Sequence, residues 1–335
     1  MSLEGNLDSE KVYFQSYEHH SIHYDMLNDY YRTIAYEHAI THNCDIFRDK
    51  VVLDVGAGTG ILSLFAAKAG AKHVFAVEPT SMYKNTEAIV ALNNYSDRIT
   101  VIKAKVEDVT LEMVGGDRVD IIISEWMGYC LLFENMLESV LIARDNLLKD
   151  DGILLPDRIQ LHAHFANYID YNHMVNFWDN VHGFDFSIFK GSSIYETILD
   201  EVHKDDIASD YGTIFDLSLY DVKSLEDIYR RVFKTTIDLK ENTMVNGLCM
   251  WFKCIFTQRH KGGEIVELCT SPYSPHTHWK QTMVLFDDHY HMRDLMELSF
   301  YFDQPENNHR ELTMDIKISS VDDEEDRLEM KRLVC

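Results

Sequence analysis

Between Lys50 and Val55 the chain reads KVVLDV, an apolar run without alternation that fits a strand buried on both faces. Comparable runs occur at His73–Val77, Ile99–Lys103 and Asp120–Ser124. Between and after them, Ile61–Ala69 and Asn135–Leu148 carry apolar residues at helical spacing, and a short strand at Ile153–Leu155 is closed by Pro156. Apolar strands alternating with helices predict a parallel sheet with both faces covered. Ahead of this block, Met26, Leu27, Tyr30, Tyr31, Ile34 and His38 recur at helical spacing across His23–Ala39.

After Pro156 the period changes. Leu161, Ala163 and Phe165 alternate with Gln160, His162 and His164, and far downstream Leu312, Met314, Ile316 and Ile318 alternate with polar residues. Related runs lie near Thr213–Leu219, Val245–Phe256, Thr282–Phe286 and Leu298–Phe302. Period-two patterning on many strands predicts an antiparallel sheet, sandwich or barrel. Tyr168–Ile188 interrupts it with a helical stretch holding Met174, Phe177, Trp178, Phe184 and Phe186. Such an insertion reads either as a cap over the barrel or as a subunit contact. The first ten residues are polar and predict no fixed structure, and Asp322–Asp326 is an acidic run that reads as a solvated end.

Composition narrows the picture. At 335 residues, with one domain per roughly 150 as a guide, the chain reads as two domains or one with a large appendage. Lys and Arg total 31 against 56 Asp and Glu, a formal net charge of −25. Direct binding of nucleic acid is disfavoured, since the longest basic pair is Arg230-Arg231, and cationic partners are favoured. The same charge can also serve solubility alone. Cys44, Cys130, Cys249, Cys254, Cys269 and Cys335 form neither a CxxC pair nor zinc spacing with histidine, which predicts a reducing compartment and no metal. No apolar run near 18 residues occurs and Met1–Asp25 has no apolar h-region, so neither membrane span nor secretory signal is expected.

Two segments carry candidate chemistry. Asp54-Val55-Gly56-Ala57-Gly58-Thr59-Gly60 follows a buried strand and opens a helix, where glycines let the backbone turn tightly and approach a ligand. The third glycine falls at Gly60 instead of position 61, which weakens a nicotinamide-dinucleotide reading. Glu78 ends the second strand, where an acid can bind a ribose diol, and Glu107 after the third could accept from an exocyclic amine. Either could instead be structural. The second segment, Ser124 to Glu134, places two carboxylates among Trp126, Met127, Tyr129, Leu131, Leu132 and Phe133. Buried carboxylates without partners are expensive, and a pair would force one to hold a proton. A guanidinium between them resolves both problems, because its planar fork of donors matches two carboxylates. A resident arginine such as Arg144 could equally fill that role as a structural ion pair.

These residues resemble the protein arginine methyltransferases. Ser124–Met136 matches their double-glutamate loop SExMGxxLxxExM in full, and Val52–Gly60 resembles their cofactor motif. Thr277-His278-Trp279 resembles their THW loop, and Tyr13-Phe14-Gln15-Ser16-Tyr17 their N-terminal YFxxY segment. The similarity runs from about Tyr13 to Ile318 and is weakest across Ser187–Leu239. It implies a Rossmann-like S-adenosylmethionine-dependent methyltransferase domain followed by an antiparallel β-barrel-like domain with an inserted helical dimerisation arm. The expected layout is a disordered 1–12, N-terminal helices over the cofactor site at 13–48, the cofactor domain at 49–156, and the barrel at 157–335 with the arm near 169–203.

By the same resemblance Glu125 and Glu134 clamp the substrate guanidinium, with His278 and Asp29 completing the catalytic set. His23, Arg32, Asp54, Gly56, Gly58, Glu78, Val106 and Glu107 would contact S-adenosylmethionine, Arg32 through its carboxylate. Tyr13, Tyr17, Met26 and Trp279 would line the arginine pocket, Met26 being typical of the subfamily that makes asymmetric dimethylarginine. Pro79 departs from the family, where a small residue or cysteine is usual. The implied substrates are cationic Arg/Gly-rich proteins and histone tails, met by a homodimer in cytoplasm and nucleus. A catalytically weak regulatory subunit, a small-molecule methyltransferase and a nicotinamide enzyme are the competing readings.

Overall fold

The structure, a computed structural model, describes residues 2–256, 263–306, 308–321 and 327–334. The N-terminal layer is helical: α1 (Ser2–Ser16), α2 (His20–Asn28), α3 (Tyr30–Thr41) and a single turn, α4 (Cys44–Phe47). Strands β1 (Val51–Val55), β2 (His73–Val77), β3 (Ile99–Ile102), β4 (Val119–Ile123) and β5 (Leu148–Leu155) follow, linked by α5 (Ile61–Lys68), α6 (Tyr83–Leu92) and α7 (Met136–Leu147). All pairings in this sheet are parallel, in the order β3-β2-β1-β4-β5. The order reverses at β1, which pairs with both β2 and β4, so a crevice opens at the carboxyl ends of these strands. Burial accounts for the unalternating sequence: Val52, Leu53, Val74, Ile121, Ile122 and Ile123 are all wholly enclosed.

The second sheet is antiparallel. It contains β6 (Arg158–Ala166), β7 (Ile198–Asp200), β8 (Gly212–Ser218), β9 (Val232–Phe256), β10 (Val266–Cys269), β11 (Gln281–Asp303), β12 (Leu312–Ser320) and β13 (Arg327–Val334). Its main path runs β13-β12-β11-β9-β6-β8, with β10 on β9 and β7 on β11. The two long strands, β9 and β11, shift register between Leu285 and Tyr290 and again between Met292 and Asp294. Such irregularities bend and twist a sheet. Its curled inner face gathers Phe215, Phe233, Phe300 and Phe302 into ring contacts. This core is continuous with that of the parallel sheet.

Between β6 and β8 lies the arm, with α8 (Tyr171–Met174) and α9 (Lys190–Tyr195). Its base is anchored: Tyr168, Tyr171 and Val175 pack with Cys249, Met283 and Leu285 in a small second core. Its tip is bare, with Phe184 70% and Ile188 85% exposed. No helix among the described residues is long and apolar enough to cross a membrane.

Four expectations differ. Residues 2–12 belong to α1 where composition predicts disorder; the helix is held at its far end, where Tyr13 and Phe14 meet the Arg310 guanidinium and Glu10 pairs with Lys105. The helical stretch His23–Ala39 is two helices, broken at Asp29, whose extended backbone lets its side chain cap the Arg32 N–H. The strand at Ile153–Leu155 begins earlier, at Leu148, through its pairing with Val119. Strands also occupy 232–244 and 287–297, where charged and polar residues obscure the alternation. The acidic run Asp322–Asp326 lies outside the described residues.

Candidate active site

A cavity of about 550 Å³ occupies the crevice above β1, β2 and β4. One wall is the glycine turn after β1, where Gly56, Gly58 and Gly60 all have left-handed backbones that side chains rarely adopt. Gly56 is doubly constrained, because a Cβ there would lie 2.4 Å from the Met136 methyl on α7. The Gly56 and Ala57 N–H groups both donate to the Val77 carbonyl, pinning the turn to β2. Glu78, just past β2, accepts from the Gly58 N–H at 2.9 Å and from the Thr80 N–H at 2.8 Å. Val106 and Glu107 line the same cavity, Glu107 accepting from the Ser139 hydroxyl, and His23 contributes its ring with Nε2 2.8 Å from the Tyr17 carbonyl. Pro79 also lines it.

Asp54 does not reach the cavity wall. It is wholly buried on β1, accepts from the Ser63 hydroxyl of α5 at 2.7 Å, and burial raises its pKa to about 7. Its predicted contact with a ligand is therefore replaced by a bond tying strand to helix.

The loop Ser124–Asn135 forms the opposite wall. Its start is tied down by the Ser124 hydroxyl, which donates to the Val55 carbonyl, and by the Tyr36 hydroxyl, which donates to the Ser124 carbonyl. The Trp279 indole N–H donates to the Met127 carbonyl at 2.7 Å. Gly128 cannot be replaced cheaply: a Cβ would sit 1.9 Å from the Phe133 carbonyl oxygen. Beyond it, Cys130, Leu131, Glu134 and Asn135 all adopt positive φ, a cluster that persists only where surroundings over-determine the backbone.

The two carboxylates of this loop have different company. Glu125 pairs with Arg32, whose Nη2 and Nε lie 2.7 and 3.1 Å from the same oxygen, Oε2. Both side chains are under a tenth exposed. Glu134 accepts from the Tyr17 hydroxyl at 2.7 Å. Burial and the nearby Glu125 charge push its pKa up to about 7, against the opposing pull of Tyr17 and Arg310. The Tyr17 hydroxyl is itself raised well above its ordinary value, chiefly by burial. A resident arginine, Arg32, thus answers Glu125 alone and leaves the Glu134 carboxylate without a cation on it; Arg144 instead donates to the carbonyls of Leu219 and Val222.

Across the mouth, Asp29 Oδ2 accepts from both the backbone N–H and the Nδ1 of His278, each at 2.8 Å. An ionised carboxylate only accepts, so Nδ1 carries a hydrogen and Nε2 is the ring nitrogen left to exchange a proton. Burial pushes the Asp29 pKa up, but bonds from His278 and the Arg32 N–H outweigh it and hold the carboxyl below its ordinary value. Tyr13, Tyr17, Met26 and Trp279 all line the cavity. Every anticipated site residue except Asp54 is therefore brought to one place. Sequence reading missed Arg310, which lines the cavity from the loop between β11 and β12, because no motif surrounds it.

Residues 157–322 match the arginine methyltransferase oligomerization subdomain, and residues 2–155 match the family described as PRMT5 arginine-N-methyltransferase. The chain is 42% identical over 315 residues to Protein arginine N-methyltransferase 1 of Saccharomyces cerevisiae, covering 93% of this chain and 88% of that one. It is 41% identical over 317 residues to the Caenorhabditis elegans protein of the same name, covering 93% and 89%. Among solved structures it resembles the Trypanosoma brucei PRMT1 enzyme-prozyme heterotetrameric complex with AdoHcy, at 36% identity and a TM-score of 0.87, covering 96% and 100% of the two chains. It also resembles Arabidopsis thaliana protein arginine methyltransferase 10, at 27% identity and 0.81, covering 96% and 99%.

Proposed function

We infer the reaction from one premise: the chain belongs to the protein arginine N-methyltransferase family. It transfers methyl groups from S-adenosylmethionine to the terminal guanidino nitrogen of protein arginines, yielding monomethyl and asymmetric dimethylarginine. The observation that carries this reading is the pair Glu125 and Glu134 facing a cavity whose far wall is the glycine turn.

The donor set fits S-adenosylmethionine. Gly56 and Gly58 present close-approaching backbone, Glu78 offers a carboxylate for a ribose diol, and Val106 with Glu107 would meet adenine. Arg32 is a buried cation suited to the methionine carboxylate. When bound, that group supplies an electrophilic methyl on sulfonium. The work of the chain is positioning, since an in-line displacement needs its reacting atoms aligned. Arg32 uses only Oε2 of Glu125, so the pair does not consume Oε1, which can accept from a substrate guanidinium. Glu134 completes the clamp. Together the carboxylates localise positive charge on the nitrogens they hold, leaving the terminal nitrogen electron-rich. Methylating a guanidinium releases one proton because the product stays protonated, and His278 Nε2, oriented by Asp29, is placed to accept it.

The substrates are cationic, Arg/Gly-rich proteins and histone tails, drawn by the net charge of −25. The oligomerization subdomain supports assembly into oligomers. The finer reading is a homodimer in which the bare arm tip, with Phe184 and Ile188, is covered by a second copy. Free thiols at Cys44, Cys130, Cys249, Cys254 and Cys269 support a reducing compartment, cytoplasm and nucleus.

Incubation with labelled S-adenosylmethionine and an Arg/Gly-rich peptide, followed by mass spectrometry, tests the reading. Asymmetric dimethylarginine is the expected product. Symmetric product would overturn the subfamily assignment, and cofactor binding without transfer would make the chain a regulatory subunit.

A further inference from the structure

Arg310 enters the cavity from a loop of the antiparallel sheet and touches both α1 and the double-glutamate loop. Its guanidinium carbon lies 4.1 Å from the ring centre of Tyr13 and 5.7 Å from that of Phe14, both on α1. Its Nη1 donates to the Glu134 carbonyl at 2.8 Å. The same pair of residues is joined a second time through the backbone, the Glu134 N–H donating to the Arg310 carbonyl at 2.8 Å. A longer approach, 3.8 Å from Nη2 to Glu10, adds a further link to α1. The side chain is 13% exposed, so these contacts are shielded from water. Glu134 sits in the left-handed region with φ 74°, and needs such external restraint to stay there. Tyr17, at the end of the same helical segment, is the residue that donates to the Glu134 carboxylate. Both the backbone and the carboxylate of Glu134 thus depend on where α1 sits.

We propose that Arg310 is a positioning residue that couples the docking of α1 to the aim of Glu134, so that the N-terminal helix closes and the substrate clamp forms as one event. The planar guanidinium is what the role requires: one face stacks on the aromatic ring while an edge donates to a carbonyl. A lysine could carry the charge but could not do both. The proposal rests on the arginine-methylating reading for its kinetic arm, while α1 docking can be observed without any turnover.

The test compares wild type with Arg310→Ala, Arg310→Lys, Tyr13→Leu and the Ala/Leu double variant. Hydrogen exchange across residues 9–17 should speed up in Arg310→Ala and in Tyr13→Leu. The kcat/KM for an arginine peptide should fall about a hundredfold in Arg310→Ala, the scale expected when a reacting group is misplaced by about an ångström. The double variant should lose no more than the worse single one, because both break one coupling. The pH profile separates positioning from general loosening. Glu134 faces Tyr13, Tyr17, Tyr129, Glu125 and Arg310, and removing the one cation among them moves its acid limb to higher pH, whereas Arg310→Lys leaves the limb in place with reduced turnover. Unchanged exchange on α1, multiplicative losses, or an unmoved limb in Arg310→Ala would overturn the coupling. Should Arg310→Ala fail to fold, Arg310→Lys and Tyr13→Leu carry the exchange and kinetic arms alone. A wild type that methylates no arginine would refute the functional reading and leave the exchange result to judge this one.

Discussion

The two ends of the Ser124–Asn135 loop hold the same side chain in opposite ways. Glu125 follows the enclosed run Ile121–Ile123 and has a resident cation, Arg32, within 2.7 Å. Glu134 lies on strained backbone, has a neutral hydroxyl as its close partner, and titrates near neutrality because burial and Glu125 disfavour its charge. One charge is compensated when the chain folds; the other awaits a cation that the fold does not place on its carboxylate. A clamp built this way distinguishes a guanidinium from a neutral group, since only a cation relieves the second carboxylate.

Neutralising each glutamate separates these roles. Glu125→Gln and Glu134→Gln should each reduce kcat by about a hundredfold, the usual scale for removing one charge-stabilising contact. Their stabilities should part company. Glu125→Gln leaves Arg32 buried beside a neutral partner and should cost on the order of 3 kcal/mol in denaturant unfolding. Glu134→Gln removes a raised carboxyl, so its melting temperature at pH 8 should equal or exceed wild type. Equal destabilisation of the two variants would abolish the distinction.

The pH dependence sharpens it. A carboxyl whose folded pKa is raised above its unfolded value loses stability as pH climbs from the unfolded pKa, near 4.5, to the folded one, near 7. The loss over that window is at most about 3 kcal/mol, and Glu134→Gln should remove it from a pH series of unfolding curves. In kinetics, kcat/KM should fall below about pH 7, because the free enzyme must ionise Glu134 to receive the guanidinium. The kcat limb should lie at lower pH, since bound substrate favours the carboxylate. Coincident limbs would mean that substrate does not contact Glu134.

Asp29→Asn reaches the other side of the mouth. The amide oxygen keeps the cap on α3, but an NH2 donor replaces the oxygen that accepts twice from His278, so the variant should lower stability by about 1 kcal/mol while reducing kcat, read by melting and steady-state rates. The smallest effect concerns the whole surface: KM for a cationic peptide should rise as salt goes from about 0.05 to 0.5 M, with kcat nearly constant. A salt-independent KM would confine recognition to the two glutamates.

Much of this was legible in the chain because its information is local. The unalternating strands, the glycine turn and the double-glutamate loop each declare themselves within about a dozen residues, since burial on both faces, a left-handed turn and a pair of enclosed carboxylates constrain nearby positions directly. Asp54 shows the limit of that logic: its place beside the turn suggests a ligand contact, but α5 turns Ser63 onto it and the side chain faces the core. Arg310 shows the complement, as it stands among polar loop residues and acquires meaning only by meeting Tyr13 and Glu134 from nearly 300 and 176 positions away.

The sequence by itself determined the two sheets, the cavity's location at the strand ends, and the residue types needed to hold a guanidinium. Only the tertiary structure decided that Arg32 answers Glu125, and that Glu134 titrates near neutrality. Those outcomes depend on distances and desolvation among segments far apart in the chain, and periodicity along one segment carries no record of either.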